Sequence, residues 1–156
     1  VGEQTYTGKA IKPAVKVFFG ETELEEKKDY TIAYANNTNA GMATFTVIGK
    51  GSYTGTASGA YRIVAQDISK LTATLDPKAY TGKEVKLTKG DIKRKSGGKF
   101  INDVTFDFDE DSYKNNVNKG KATVVVKGTG NYGGTKTITF TIGSKGILWW
   151  WRNLFN

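Results

Sequence analysis

Through most of this chain apolar and polar residues alternate with a period of two, the spacing of a half-buried β-strand rather than a helix. In Met42-Ala43-Thr44-Phe45-Thr46-Val47-Ile48, Ala43, Phe45 and Val47 share one face; their counterparts Ala122, Val124 and Val126 do the same later on. Tyr30-Thr31-Ile32-Ala33-Tyr34, Val15-Lys16-Val17 and Lys136-Thr137-Ile138-Thr139-Phe140-Thr141-Ile142 carry the same pattern. Gly and Asn clusters bound these runs and act as turns, because both residues tolerate positive φ. Phe19-Gly20-Glu21-Thr22 reads as a tight hairpin. Short strands separated by turns at about 8–12 residues predict antiparallel sandwiches or related small all-β folds.

The pattern occurs twice. Tyr6-Thr7-Gly8-Lys9 returns as Tyr80-Thr81-Gly82-Lys83, 74 residues later. Asn36-Asn37-Thr38-Asn39-Ala40-Gly41 returns as Asn115-Asn116-Val117-Asn118-Lys119-Gly120, 79 residues later. The same offset of 79 carries Gly49-Lys50-Gly51-Ser52-Tyr53-Thr54-Gly55 onto Gly128-Thr129-Gly130-Asn131-Tyr132-Gly133-Gly134. Five residues are therefore extra in the second copy, and the basic stretch Lys93–Lys99 is where they are expected. Such a period is too long for a solenoid unit and predicts tandem small domains. The expected division is 1–66, 67–143 and a tail of 144–156, with a short join through Ala65–Lys70 that holds the domains as beads on a semi-rigid rod. Cores of this size are modest, so Tyr34, Tyr53, Tyr113 and Tyr132 are expected to plug the sheets.

Taken together, Tyr-Thr-Gly-Lys, Asp29-Tyr30-Thr31-Ile32, the Asn-rich turn and the Gly-x-Gly-x-Tyr-x-Gly turn resemble the tandem Ig-like repeats of bacterial surface proteins, common in secreted proteins of gut Firmicutes. The resemblance covers most of residues 4–64 and, more weakly, 73–142, where Val104-Thr105-Phe106-Asp107-Phe108-Asp109 replaces Asp-Tyr-Thr-Ile. It implies two small Ig-like β-sandwich domains, an extracellular location and a spacer or display role; some such repeats bind host glycans or proteins. No signal peptide precedes Val1 and no initiator Met begins the chain, which reads as a processed fragment.

Composition narrows the chemistry. Among 156 residues there is no Cys and no His, so disulfides, thiolate nucleophiles, Cys/His zinc sites, Ser-His-Asp triads and imidazole switches are excluded. No run of about 18 apolar residues exists to span a membrane as a helix. The formal charge of +8 lies mainly in the second copy, yet its one dense cluster, Lys93, Arg94, Lys95 and Lys99, lacks aromatics for base stacking and reads as a solvated hairpin loop. Nucleic acid is not an expected partner.

Asp107, Asp109 and Asp111 stand at alternate positions and are a weak calcium candidate. An EF-hand needs Gly and Glu where this chain has Ser112 and Asn118. In a strand the three aspartates would line the solvent face, with Phe106 and Phe108 turned inward. No paired-carboxylate or isopeptide motif is singled out, so a non-catalytic protein with no metal and no cofactor is expected.

The period changes at the end. Ile147, Leu148, Trp151, Leu154 and Phe155 fall on one helical face, with Ser144 as its cap, predicting a short amphipathic helix that docks on the second domain. The opposite face carries Trp149, Trp150, Arg152 and Asn153, the candidate partner-binding residues, since Trp and Arg are enriched at binding hot spots. The expected function is capture of an extracellular protein, with host immunoglobulin as a target the resemblance implies. A structural cap on a spacer, a membrane-surface anchor and a glycan platform are the alternatives.

Overall fold

Alternation becomes strand where the backbone finds a partner, and the two copies do so in parallel ways. The structure, a computed structural model, describes residues 1–96, 99–100 and 104–143, with backbone alone for 93–96 and 99–100. The chain divides into two compact units, Val1–Gln66 and Asp67–Asn156. The described residues are all-β apart from a single 3-10 turn at Lys89–Asp91. The expected C-terminal helix, with Ile147, Leu148, Trp151, Leu154 and Phe155, lies outside the described residues.

The first unit contains β1 (Gln4–Thr5), β2 (Phe18–Phe19), β3 (Thr22–Glu23), β4 (Tyr30–Ala35), β5 (Gly41–Gly49) and β6 (Thr56–Val64). β4, β5 and β6 form an antiparallel meander, and β1 lies parallel to β6, giving the order β1-β6-β5-β4. Ala43 of β5 and Tyr61 and Ile63 of β6 are buried, with Tyr6, Ile11, Tyr34 and Phe45 packed against them. The predicted hairpin forms as β2–β3, Phe19 opposite Thr22, with Gly20 at φ 62°; two-residue turns that follow strand twist need that conformation.

Val15-Lys16-Val17 is not a strand, contrary to its alternation. Residues 11–15 run extended over the inner face of the sheet, and their carbonyls are claimed by tyrosine hydroxyls instead of a ladder. Tyr61 Oη donates to the Ile11 carbonyl (2.7 Å), Tyr34 Oη to Pro13 (2.7 Å) and Tyr30 Oη to Val15 (3.2 Å). Pro13 has no N–H to give a neighbouring strand. Tyr34 thus does close the sheet as expected, through its hydroxyl as much as its ring.

Burial pushes the Tyr61 phenol above its ordinary value. Burial does the same for Tyr30, helped by the Glu26 and Glu23 carboxylates, and for Tyr34, helped by Glu26. A phenol raised in the folded state holds its proton longer than in the unfolded chain, so its contribution is intact below about pH 10 and lost as pH climbs through the folded value. The urea midpoint of the first unit is expected to stay level up to that pH and fall beyond it, and Tyr61→Phe should shrink the fall. A midpoint that rises above pH 10 would contradict the assignment.

The second unit contains β7 (Gln66–Asp67, of which Asp67 is its first residue), β8 (Thr72–Thr74), β9 (Lys78–Ala79), β10 (Lys93–Ser96), β11 (Lys99–Phe100), β12 (Phe106–Lys114), β13 (Gly120–Gly128), β14 (Tyr132–Gly133) and β15 (Thr135–Gly143). The sheet β12-β13-β15-β9 repeats the first unit's plan, with β9 parallel to β15. A three-stranded sheet, β11-β10-β8, stands where the first unit has only the two-stranded hairpin β2–β3. The core is correspondingly larger, with Ile68, Leu87, Ile92, Val104, Phe106, Val124, Val126, Tyr132, Ile138, Phe140 and Ile142 all buried. Ile68, expected in the join, is 2 % exposed and belongs to this core. Lys78 on β9 pairs with Asp91 at 2.5 Å. Burial pushes the Asp91 carboxyl up, but hydrogen bonds from Lys78 and Thr88 outweigh it and hold the group below the usual carboxylate range.

The repeated motifs are spent on folding. Asn36 and Asn115 sit at φ 54° and 56°, and the next residue latches the incoming chain. Asn37 accepts from Ile11 N–H through its carbonyl and donates Nδ2 back to the Ile11 carbonyl; Asn116 does the same with Val85. Gly51 and Gly130 hold the following turn at φ 65° and 64°.

The five extra residues are not all in the basic stretch. Tyr30 faces Gly49 and Phe106 faces Gly128, so the offset there is already 76. Two extra residues enter between Val85 and Phe106; the other three form a bulge in β12 between Asp109 and Lys114. That bulge arises because Asn115 must still reach its latch position while the strand pairing from Phe106 to Asp109 stays in register.

Candidate functional site

What distinguishes the units is more informative than what they share, and the β12 bulge is the sharpest difference. It is stapled by one side chain. Ser112 Oγ donates to the Asp109 carbonyl (2.6 Å) and accepts from Val125 N–H (2.8 Å), standing in for ladder bonds the bulge removes. The bend opens a concavity of about 400 Å³ lined by Asp109, Asp111, Ser112, Lys114, Thr123, Val125 and Thr137. It lies on the solvent face of the sheet, with Val125 as an apolar floor among hydroxyls, carboxylates and an ammonium. Such a rim offers hydrogen bonds and charge to a polar ligand; nothing in it constitutes a nucleophile with a base.

Ion pairs frame the strand. Lys127 binds Asp109 (2.9 Å), Lys89 binds Asp107 (2.8 Å) and Lys86 binds Glu110 (2.8 Å). The Glu110 hydrogen bond and charge push the Lys86 ammonium above its usual value. Its Nζ lies 5.6 Å from the Tyr113 ring centroid. These pairs are exposed and worth little singly. Tyr113 is half-buried, its Oη accepts from Leu87 N–H (3.0 Å), and burial raises its phenol. With Tyr132 buried, both tyrosines sit against the second unit's sheet as expected.

The structure does not gather Asp107, Asp109 and Asp111. Lys89 takes the first and Lys127 the second, while Asp111 joins Asp109 on the rim of the concavity. Among the described residues no group of three acidic, His or Cys side chains stands where it could share a cation. Phe106 is buried, while Phe108 is only half-buried, edge-on to it at 5.6 Å. Lys93, Arg94, Lys95 and Lys99 belong to the paired strands β10 and β11 rather than to a loop.

Trp149, Trp150, Arg152 and Asn153 lie outside the described residues. In the first unit the exposed large apolar side chains are Val1, Met42, Ile48 and, on the hairpin, Phe18 and Phe19, the last edge-on to Tyr53 at 5.7 Å. Sequence reading missed Ser112 and Val125 as a pair. The repeat offsets of 74 and 79 announce five surplus residues, but only the strand pairing places three of them in β12.

The chain matches no protein-family model, and no curated protein matches its sequence. No helix among the described residues is long and apolar enough to cross a membrane.

Proposed function

We propose that this chain is a non-catalytic binding and display module of a bacterial surface or secreted protein, which captures an extracellular protein partner. The observation that carries this reading is the division of labour between residues. The repeated Asn, Gly and Tyr positions are used up in turns, latches and hydroxyl ties, leaving the unrepeated surface of the second unit free to vary. The resemblance to tandem Ig-like repeats supports the location and makes host immunoglobulin a reasonable first target. Trp149, Trp150, Arg152 and Asn153 are the proposed anchors on composition, beside the neighbouring sheet of the second unit.

The test is capture of immunoglobulin on a biosensor surface by the full chain and by a chain ending at Gly143. Saturable binding that drops at least about tenfold on truncation, a loss of about 1.4 kcal/mol, with an unchanged urea midpoint supports capture through the tail. Truncation that lowers the midpoint without a binding phase favours the spacer reading, in which the tail only caps the fold.

A further inference from the structure

We propose that the outer edge of β4 pairs with itself, joining two molecules of this chain through their first units in an antiparallel contact whose twofold axis passes at Ala33. Such a pair needs no foreign partner and does not rest on the capture reading. β4 is the last strand of its sheet, in the order β1-β6-β5-β4. The parity of the ladder identifies its open groups. Lys50 N–H bonds inward to the Asp29 carbonyl, and Lys27 N–H bonds the Tyr30 carbonyl from outside. Successive strand residues direct their backbone groups to opposite sides, so Thr31, Ala33 and Ala35 bond to β5 while Ile32 and Tyr34 direct N–H and C=O outward. Among the described residues no backbone group is paired with those two on that side.

Edge strands usually carry a device against such pairing: a charge, a proline or a bulge. β12, which holds the same place in the second unit, has a bulge and Asp107, Asp109, Glu110 and Asp111. β4 has none of these. Tyr30-Thr31-Ile32-Ala33-Tyr34-Ala35 contains no charge and no proline, and its register against β5 runs unbroken from Tyr30–Gly49 to Ala35–Thr44.

The strand is also complementary to itself. With Ala33 opposite Ala33, Ile32 exchanges both backbone hydrogen bonds with Tyr34 of the second molecule, and Tyr34 does so with its Ile32, so every open group is satisfied. A shift of two residues either way sets one of them against Tyr30, whose carbonyl Lys27 already holds, or against Asn36, which leaves the strand at φ 54°. Ile32 and Tyr34 lie beside Val47 and Phe45 on the inner face yet stay half-buried, and each gains the other as an aliphatic–aromatic cross-strand neighbour. On the outer face the exposed Ala33 leaves room at the axis, and Thr31 meets Ala35. Beyond the paired residues the charged run Glu25–Asp29 faces the uncharged turn Asn36–Asn39, so no like charges are opposed. The other open stretch of this sheet, Thr56–Ala60 of β6, is uncharged too, but it holds Gly59 and only small side chains. A strand added there would gain little apolar cover.

The test is sedimentation equilibrium of the full chain at concentrations from about 10 µM to about 1 mM, the range suited to the small area that one strand pair buries. A reversible monomer–dimer equilibrium is expected. Hydrogen exchange at the Ile32 and Tyr34 amides should slow as concentration rises, with no change at Thr56, Ser58 or Ala60. Ala33→Lys and Ala33→Glu each set like charges across the axis from an exposed position. Each should weaken dimerisation by about tenfold or more and leave the urea midpoint of the dilute chain nearly where it was. Mixing the two variants in equal amounts should restore dimers, because lysine then faces glutamate, a recovery that a general loss of folding could not produce. Ala60→Lys, on the β6 edge, should leave the equilibrium unchanged. A chain that stays monomeric throughout, a dimer that survives Ala33→Lys, a mixture that does not recover, or a dimer lost in Ala60→Lys overturns the proposal.

Discussion

Gly128→Ala is expected to lower the stability of the second unit by about 3 kcal/mol. A Cβ at that position would lie 2.7 Å from Gly133 N and 2.9 Å from Gly133 O, both backbone atoms of the turn that folds back over β13. A side chain can swing away from such a collision; the main chain of a turn held by Gly128 N–H to Gly134 C=O cannot. Gly49 repeats the arrangement in the first unit, 2.9 Å from the Tyr53 carbonyl, so Gly49→Ala should shift the other unfolding transition. If the two units unfold separately, far-UV circular dichroism in urea should show two transitions, each moved by one variant of the pair. Gly90→Ala is the control: its nearest neighbour is the Thr88 hydroxyl at 3.8 Å, and the change should stay within about 0.5 kcal/mol. If Gly128→Ala behaves like Gly90→Ala, the close approach of turn to strand is not real.

Ser112→Ala should cost about 2 kcal/mol, because it strands a half-buried donor and acceptor at once. Val125 N–H loses the hydroxyl that accepts from it, and the Asp109 carbonyl loses its donor. Water reaches this face, so part of the loss is recoverable, which keeps the figure below that of a sealed core. The diagnostic is local: the Val125 amide should exchange faster in Ser112→Ala and recover in Ser112→Thr, which retains the hydroxyl. An unchanged midpoint with a protected Val125 amide would show that the bulge is held by something other than Ser112.

The strands of both sheets were legible because their inner faces follow a strict period of two, as in Ala122, Val124 and Val126. The turns were legible because only a few residue types accept positive φ. Extended backbone without a ladder was not: Val15–Val17 alternates like a strand, yet tyrosine hydroxyls satisfy the Ile11, Pro13 and Val15 carbonyls, and no local pattern announces partners 50, 21 and 15 residues away. The bulge was half legible. A count of matched positions finds five surplus residues, but only pairing shows that three sit in β12. The lysine partners of the carboxylate row were equally out of sight, since Lys89 reaches Asp107 and Lys127 reaches Asp109 from other segments of the chain.

The parallel placement of β1 beside β6 has a mechanical meaning. In the first unit the chain enters along one of these strands and leaves along the other, both running in the same direction. Tension applied at the two ends would slide them past each other, loading the Gln4–Ile63 and Thr5–Val64 pairs and the Tyr6-to-Val64 hydrogen bond together. Bonds pulled along the strand axis in this way must break as a group, whereas a hairpin pulled at its ends unzips one bond at a time. A tether anchored at one end and loaded at the other, under flow or during adhesion, would profit from that difference.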